Sequence, residues 1–147
     1  MLKNCKFSVD ELIAHEAPMI LIDQVLGFNE TQVKCQVVIT EETPFMTNNV
    51  VPSYVSIEYM AQSIACHSGI LALNSGRKID IGFLLGTRRL ILSKNEFVIG
   101  DVLVVDAENL YKDGEMAAFE CKISLREEIV ATANLNVYQP REFQAES

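Results

Sequence analysis

VVPSYVSIEYMAQSIACHSGILAL, from Val50 to Leu73, is the most apolar stretch of the chain and is long enough for about six helical turns. Glu58 is its only acid. Gln62 follows one turn later, and no basic residue stands at helical spacing to pair with the carboxylate. An unpaired carboxylate inside a protein is costly, so it protonates or finds hydrogen bonds. Glu58 is therefore expected to be buried with a raised pKa, as suits a group that exchanges protons near neutral pH. The alternative reading is a structural glutamate bonded to backbone.

The flanks read as sheet. Ser8-Val-Asp-Glu11 has capping-box spacing and predicts a short helix from Ser8 to near His15, closed by Pro18. MILIDQVLGF (19–28) predicts one strand, and TQVKCQVVIT (31–40) alternates, with Val33, Cys35, Val37 and Ile39 on one face. After a stop at Asn74-Ser75-Gly76, extended segments are expected over about 80–93, 101–111, 115–126 and 128–138. Lys112-Asp113-Gly114 reads as a hairpin turn. In the last two segments, Ala117, Phe119, Cys121, Ile123 and Leu125, then Ile129, Ala131, Ala133, Leu135 and Val137, form apolar faces. Strands with one apolar face need a cover, and the helix is the only large one on offer. The expected architecture is α+β: an antiparallel sheet wrapped around one long central helix, the hotdog arrangement. One domain over 1–147 is expected, with a lead-in over 1–14, the central helix over 52–74 and a frayed tail over 141–147.

Composition narrows the function. With 147 residues, 49% of them apolar, the chain can bury a core. A net charge of −8 argues against nucleic acid as a partner. Glu58, Gln62, His67 and four serines make the long stretch unsuited to a membrane span. The N-terminal residues show no apolar signal region, and the scattered Cys5, Cys35, Cys66 and Cys121 read as free thiols, so a cytoplasmic location is expected. No metal site is expected. Arg77, Lys78, Arg88, Arg89 and Lys94 concentrate positive charge in eighteen positions that hold one acid, Asp80.

His15-Glu-Ala-Pro-Met-Ile-Leu-Ile-Asp23 resembles the HRxPxLLxD segment of hotdog-fold 3-hydroxyacyl-carrier-protein dehydratases. Pro52, Glu58 and Ala61-Gln62 resemble their PGxxxxExxAQ helix, Gly82-Phe-Leu-Leu-Gly86 the following strand, and Gly100-Asp101 their PGD turn. IEYMAQ (57–62), IGFLLGTRR (81–89) and NVYQP (136–140) are similar to the dehydratase-like subfamily of aryl-polyene biosynthetic clusters.

The resemblance implies a homodimer or higher oligomer, or a heterodimer with a related hotdog subunit, joined edge to edge. The acyl chain would arrive on the phosphopantetheine arm of an acyl carrier protein, with no cofactor of the chain's own. Glu58 would face a tunnel at the dimer interface. The sequence departs from the family in the loop before the helix. Pro44-Phe-Met-Thr-Asn-Asn-Val-Val-Pro52 contains no histidine, and Asn48 holds the place of the catalytic one. Ser53 replaces the glycine after the proline.

Dehydrating a 3-hydroxyacyl thioester needs a base, an acid and a carbonyl polariser around one substrate. Glu58 and His15 are the candidate proton-transfer pair. His67 lies nine residues along, about 180° round the helix, and points away. Gln62 shares Glu58's face and is a candidate to orient the carboxylate or bind substrate. Val51, Pro52, Ser53 and Tyr54 are the candidate substrate-binding residues, their amides polarising the carbonyl from the helix start. Arg88, Arg89, Lys78 and Lys94 are candidates for the acidic carrier, although neighbours on a strand face opposite ways. Two other functions fit the missing loop histidine: a thioesterase using Glu58, and an inactive partner subunit.

Overall fold

The computed structural model describes residues 1–14, 19–79 and 82–139. Six strands form one antiparallel sheet in the order β1-β2-β6-β7-β8-β4: β1 (Gln24–Phe28), β2 (Gln32–Val38), β4 (Phe83–Leu92), β6 (Val102–Asp113), β7 (Met116–Leu125) and β8 (Glu128–Tyr138). β3 (Val50–Pro52) and β5 (Glu96–Val98) pair as a small second sheet. A 3-10 turn, Ser53–Val55, leads into the long helix α2 (Ser56–Asn74), which lies against the inner face of the sheet. This is the hotdog arrangement.

Alternation places the core. Val33, Cys35 and Val37 of β2, Leu103 and Val105 of β6, and Phe119, Cys121 and Ile123 of β7 are buried against the helix. From α2, Tyr59, Met60, Ile64, Cys66 and Ile70 fill the space between. The short helix α1 (Val9–Leu12) is held at its start by Glu11, whose Oε1 accepts from the Ser8 N–H and Oγ, both at 2.9 Å. It ends before the expected His15. The long helix stops at the expected place: Gly76 takes φ +73°, and the Arg77 N–H donates to the Ala72 carbonyl at 2.9 Å.

Three expectations need correction. Residues 19–28 do not form one strand. Only Gln24–Phe28 does, because the Leu21 N–H is bonded to the Gln62 side chain rather than to a strand. Ile129 does not join the apolar face: Ile123 opposes Ala131 while Ser124 opposes Ile129, so a bulge turns Val130 inward and leaves Ile129 exposed. The central helix does not begin at 52: Pro52 is extended and pairs with β5 as the end of β3, Ser53–Val55 is a 3-10 turn, and α2 starts at Ser56. The Asp113-Gly114 turn is present, with Gly114 at φ +62°.

β4 is an edge strand, paired only with β8. It exposes Phe83, Leu84, Leu85, Leu90 and Ile91, a long apolar edge of the kind proteins ordinarily cover. The predicted tail, 141–147, lies outside the described residues.

Candidate active site

Helix α2 has two working faces. One packs on the sheet; the other, bearing Glu58, Ala61, Gln62, Ala65 and Ser68, forms one wall of an open groove. Gly82, Phe83 and Leu84, with Val137 and Gln139, form the opposite wall, and the groove encloses about 200 Å³. Small side chains at positions 61, 65 and 68 clear a path along the helix from the carboxylate, as far as about 15 Å at the helical rise. That spacing was legible in the sequence but meaningless without the opposing wall.

Glu58 is exposed, not buried as expected. The helix face carrying it is the one that the sheet does not cover, beside the apolar edge of β4. Among the described residues its carboxylate is the only titratable group lining the groove. Gln62 is buried beside it, but its amide is committed to backbone: Nε2 donates to the Met19 carbonyl at 2.7 Å and Oε1 accepts from the Leu21 N–H at 2.8 Å. Glu58 and Gln62 thus share the groove without a hydrogen bond between them.

His67 points to the sheet side, as its angle predicts. It is 3% exposed, its Nε2–H donates to the Asn29 carbonyl at 2.9 Å, and its ring meets Phe119 edge-on. Burial pulls its pKa below the usual histidine value. His15 lies outside the described residues. Tyr59, next to Glu58, is fully buried on the sheet side, and burial together with the nearby Asp23 carboxylate pushes its pKa up to about 12. It stays neutral, with its hydroxyl unpaired among the described residues.

The segment before the helix is narrower in its chemistry than expected. Pro52 has no N–H, and the Ser53 N–H donates to the Asn95 carbonyl at 3.0 Å, so neither amide is open to a substrate carbonyl. Val51 is buried in the β3–β5 pairing, and Tyr54 is exposed. Asn48 is explained by turn chemistry. Thr47 and Val50 exchange backbone hydrogen bonds of 2.8 and 3.1 Å, and Asn48 and Asn49 between them take φ +53° and +67°, a type I′ turn that asparagine tolerates.

Arg88, Arg89, Lys78 and Lys94 do not line the groove and make no ion pair among the described residues. Arg88 and Arg89 lie in β4, most of which is exposed. A bulge separates Arg88 from Ile91, Arg89 sits at φ +56°, and both side chains are exposed. Among the described residues no cluster of three or more His, Cys, Asp or Glu could hold a metal ion, and no helix is long and apolar enough to cross a membrane.

An antiparallel sheet wrapped on one helix, with a lone carboxylate facing a groove beside an uncovered edge, defines a hotdog-fold enzyme of the dehydratase and thioesterase type. Comparison with known proteins resolves the class. The family model described as ApeP-like, ApeP dehydratase, matches residues 7–147, and the chain belongs to that family. It is 27% identical over 134 residues to the 3-hydroxyacyl-[acyl-carrier-protein] dehydratase FabZ of Streptococcus sanguinis, across 87% of this chain and 92% of that protein. Among solved structures it is similar to the dehydratase heterocomplex ApeI:P from Xenorhabdus doucetiae, with 31% identity, 97% of each chain covered and a TM-score of 0.89. A hypothetical thioesterase from Streptococcus pneumoniae shares the fold alone, at 12% identity, 79% of this chain and 86% of that one, and a TM-score of 0.63.

Proposed function

We propose that the chain works on 3-hydroxyacyl thioesters held on an acyl carrier protein, removing water to give trans-2-enoyl thioesters in fatty-acid or aryl-polyene synthesis. The observation that carries this reading is the placement of Glu58 at the head of the groove between α2 and β4, in a chain of the dehydratase family. In the reaction the bond from Cα to hydrogen breaks, its electron pair forms the Cα–Cβ double bond, and the Cβ–O bond breaks. The hydroxyl leaves as water once protonated. Glu58 is suited to move one of these protons, and His15 is the candidate for the other.

The second subunit enters through the same geometry. A hotdog partner set against the β4 edge would cover Phe83, Leu84 and Ile91, close the groove and take Glu58 out of water. The partner is a second copy or a related hotdog chain. The heteromeric reading is favoured by two observations: among the described residues the groove holds one titratable group, and the solved relative is a heterocomplex. In that reading the related chain supplies the missing histidine, and this chain contributes Glu58 or acts only as its support. The acyl group comes on the carrier's phosphopantetheine, with the basic residues Arg88, Arg89, Lys78 and Lys94 meeting the acidic carrier, all within the cytoplasm. The protein needs no cofactor of its own.

The experiment is hydration of trans-2-enoyl carrier protein, followed by mass spectrometry, for the chain alone and mixed with a histidine-bearing hotdog subunit. A gain of one water by the chain alone supports self-sufficient catalysis. Gain only in the mixture, above the partner's own rate, supports the heteromer. Released free acid in place of hydration would refute the dehydratase reading.

A further inference from the structure

We propose that Gln62 is a positioning residue for this site: its amide clamps the backbone of residues 19–21 to the wall of the Glu58 groove. The orientation of the amide is fixed by its partners. The Met19 carbonyl can only accept and the Leu21 N–H can only donate, so Nε2 faces the first at 2.7 Å and Oε1 the second at 2.8 Å. Bonding the carbonyl before a residue and the N–H after it is the pattern of a parallel strand partner, here supplied by one side chain. The clamped segment is held at its other end by the sheet. The Asp23 N–H donates to the Gln36 carbonyl at 2.9 Å, and the Asp23 carboxylate accepts from the Val38 N–H at 2.6 Å.

The segment therefore runs from the sheet to α2, and among the described residues Gln62 is its one side-chain anchor on the helix. Leu21 and Ile22 are buried, so releasing the amide leaves a backbone N–H without water to replace the lost partner. Gln62 itself lines the groove one turn from Glu58. The clamp holds the Gln62 side chain, itself part of the groove wall, and a shift of about 1 Å that misplaces reacting groups costs on the order of a hundredfold in rate. This role rests on the proposed dehydration at Glu58, and it acts on turnover more than on substrate binding.

The test measures kcat and KM for wild type, Gln62→Leu and Gln62→Glu, together with hydrogen exchange at the Leu21 amide. Gln62→Leu is expected to lower kcat at least about tenfold with a smaller change in KM, and to speed exchange at Leu21. Gln62→Glu is isosteric and keeps an acceptor for Leu21, but its ionised form cannot donate to the Met19 carbonyl. Its activity relative to wild type should rise as pH falls from about 8 to 5, because protonation restores the donor. A merely structural role would lower the melting temperature without that pH signature. Wild-type kcat in Gln62→Leu alongside faster Leu21 exchange would overturn the role, and unchanged exchange would overturn the clamp. Wild-type protein with no dehydratase activity, alone or with its partner, would instead overturn the functional reading, while Leu21 exchange would still decide the clamp.

Discussion

Gly69 in the middle of α2 lies directly against the carbonyl of Leu12 at the end of α1: a Cβ at position 69 would stand 2.2 Å from that oxygen. A glycine costs helix stability, so its presence here is explained by the close approach of the two chains. The contact fixes α1 on the long helix and, with it, the start of the chain that leads toward residue 15.

Gly69→Ala is accordingly expected to destabilise, although alanine is the better helix former. The clash is with backbone, which cannot swing aside, and overpacking of this kind costs about 1–3 kcal/mol. Thermal and urea unfolding would measure the loss. A variant as stable as wild type would show that α1 is not held where it is seen.

His67 gives the fold a pH dependence. Its folded-state pKa is lowered by burial, so the unfolded chain takes up a proton more readily. Its contribution is therefore complete above about pH 6.5, the unfolded value, and is lost as pH falls through the lower folded value. The urea midpoint should drop below pH 6.5, and His67→Phe should flatten that drop while losing the bond to Asn29. A midpoint constant from pH 8 to 5 would contradict the buried neutral histidine.

The turn at Asn48-Asn49 separates fold from chemistry. Asn49→Val places a β-branched residue at φ +67° and is expected to cost about 1–2 kcal/mol, while Asn49→Gly is tolerated. Equal stability of the two variants would mean that the turn is not of the described type.

The helix, the alternation of β2 and β7, the capping box and the Asp-Gly hairpin were legible because each is local: a period, a cap or a turn residue within a few positions. What was not legible depended on partners far along the chain. Residues 19–23 have strand-like composition, yet Gln62 takes the bonds a strand would need. Ile129 and Val130 are equally apolar, and only the bulge opposite Ile123 decides which turns inward. Glu58 was found by its isolation among apolar residues, but its exposure was not, because composition cannot tell a helix face packed on a sheet from one left open beside an edge. The groove needed both α2 and β4, which meet only in the fold.

The central claim is that Glu58 moves a proton in water addition and removal at the groove. The direct measurement is the rate of hydration of trans-2-enoyl carrier protein by wild type and by Glu58→Gln, each with the partner subunit that gives wild type its activity. Removing a general acid or base lowers the rate by about 10²–10⁴-fold, and a loss in that range with the assembly intact is the predicted result. A Glu58→Gln complex as fast as wild type would contradict the account and leave this chain as support for chemistry carried elsewhere.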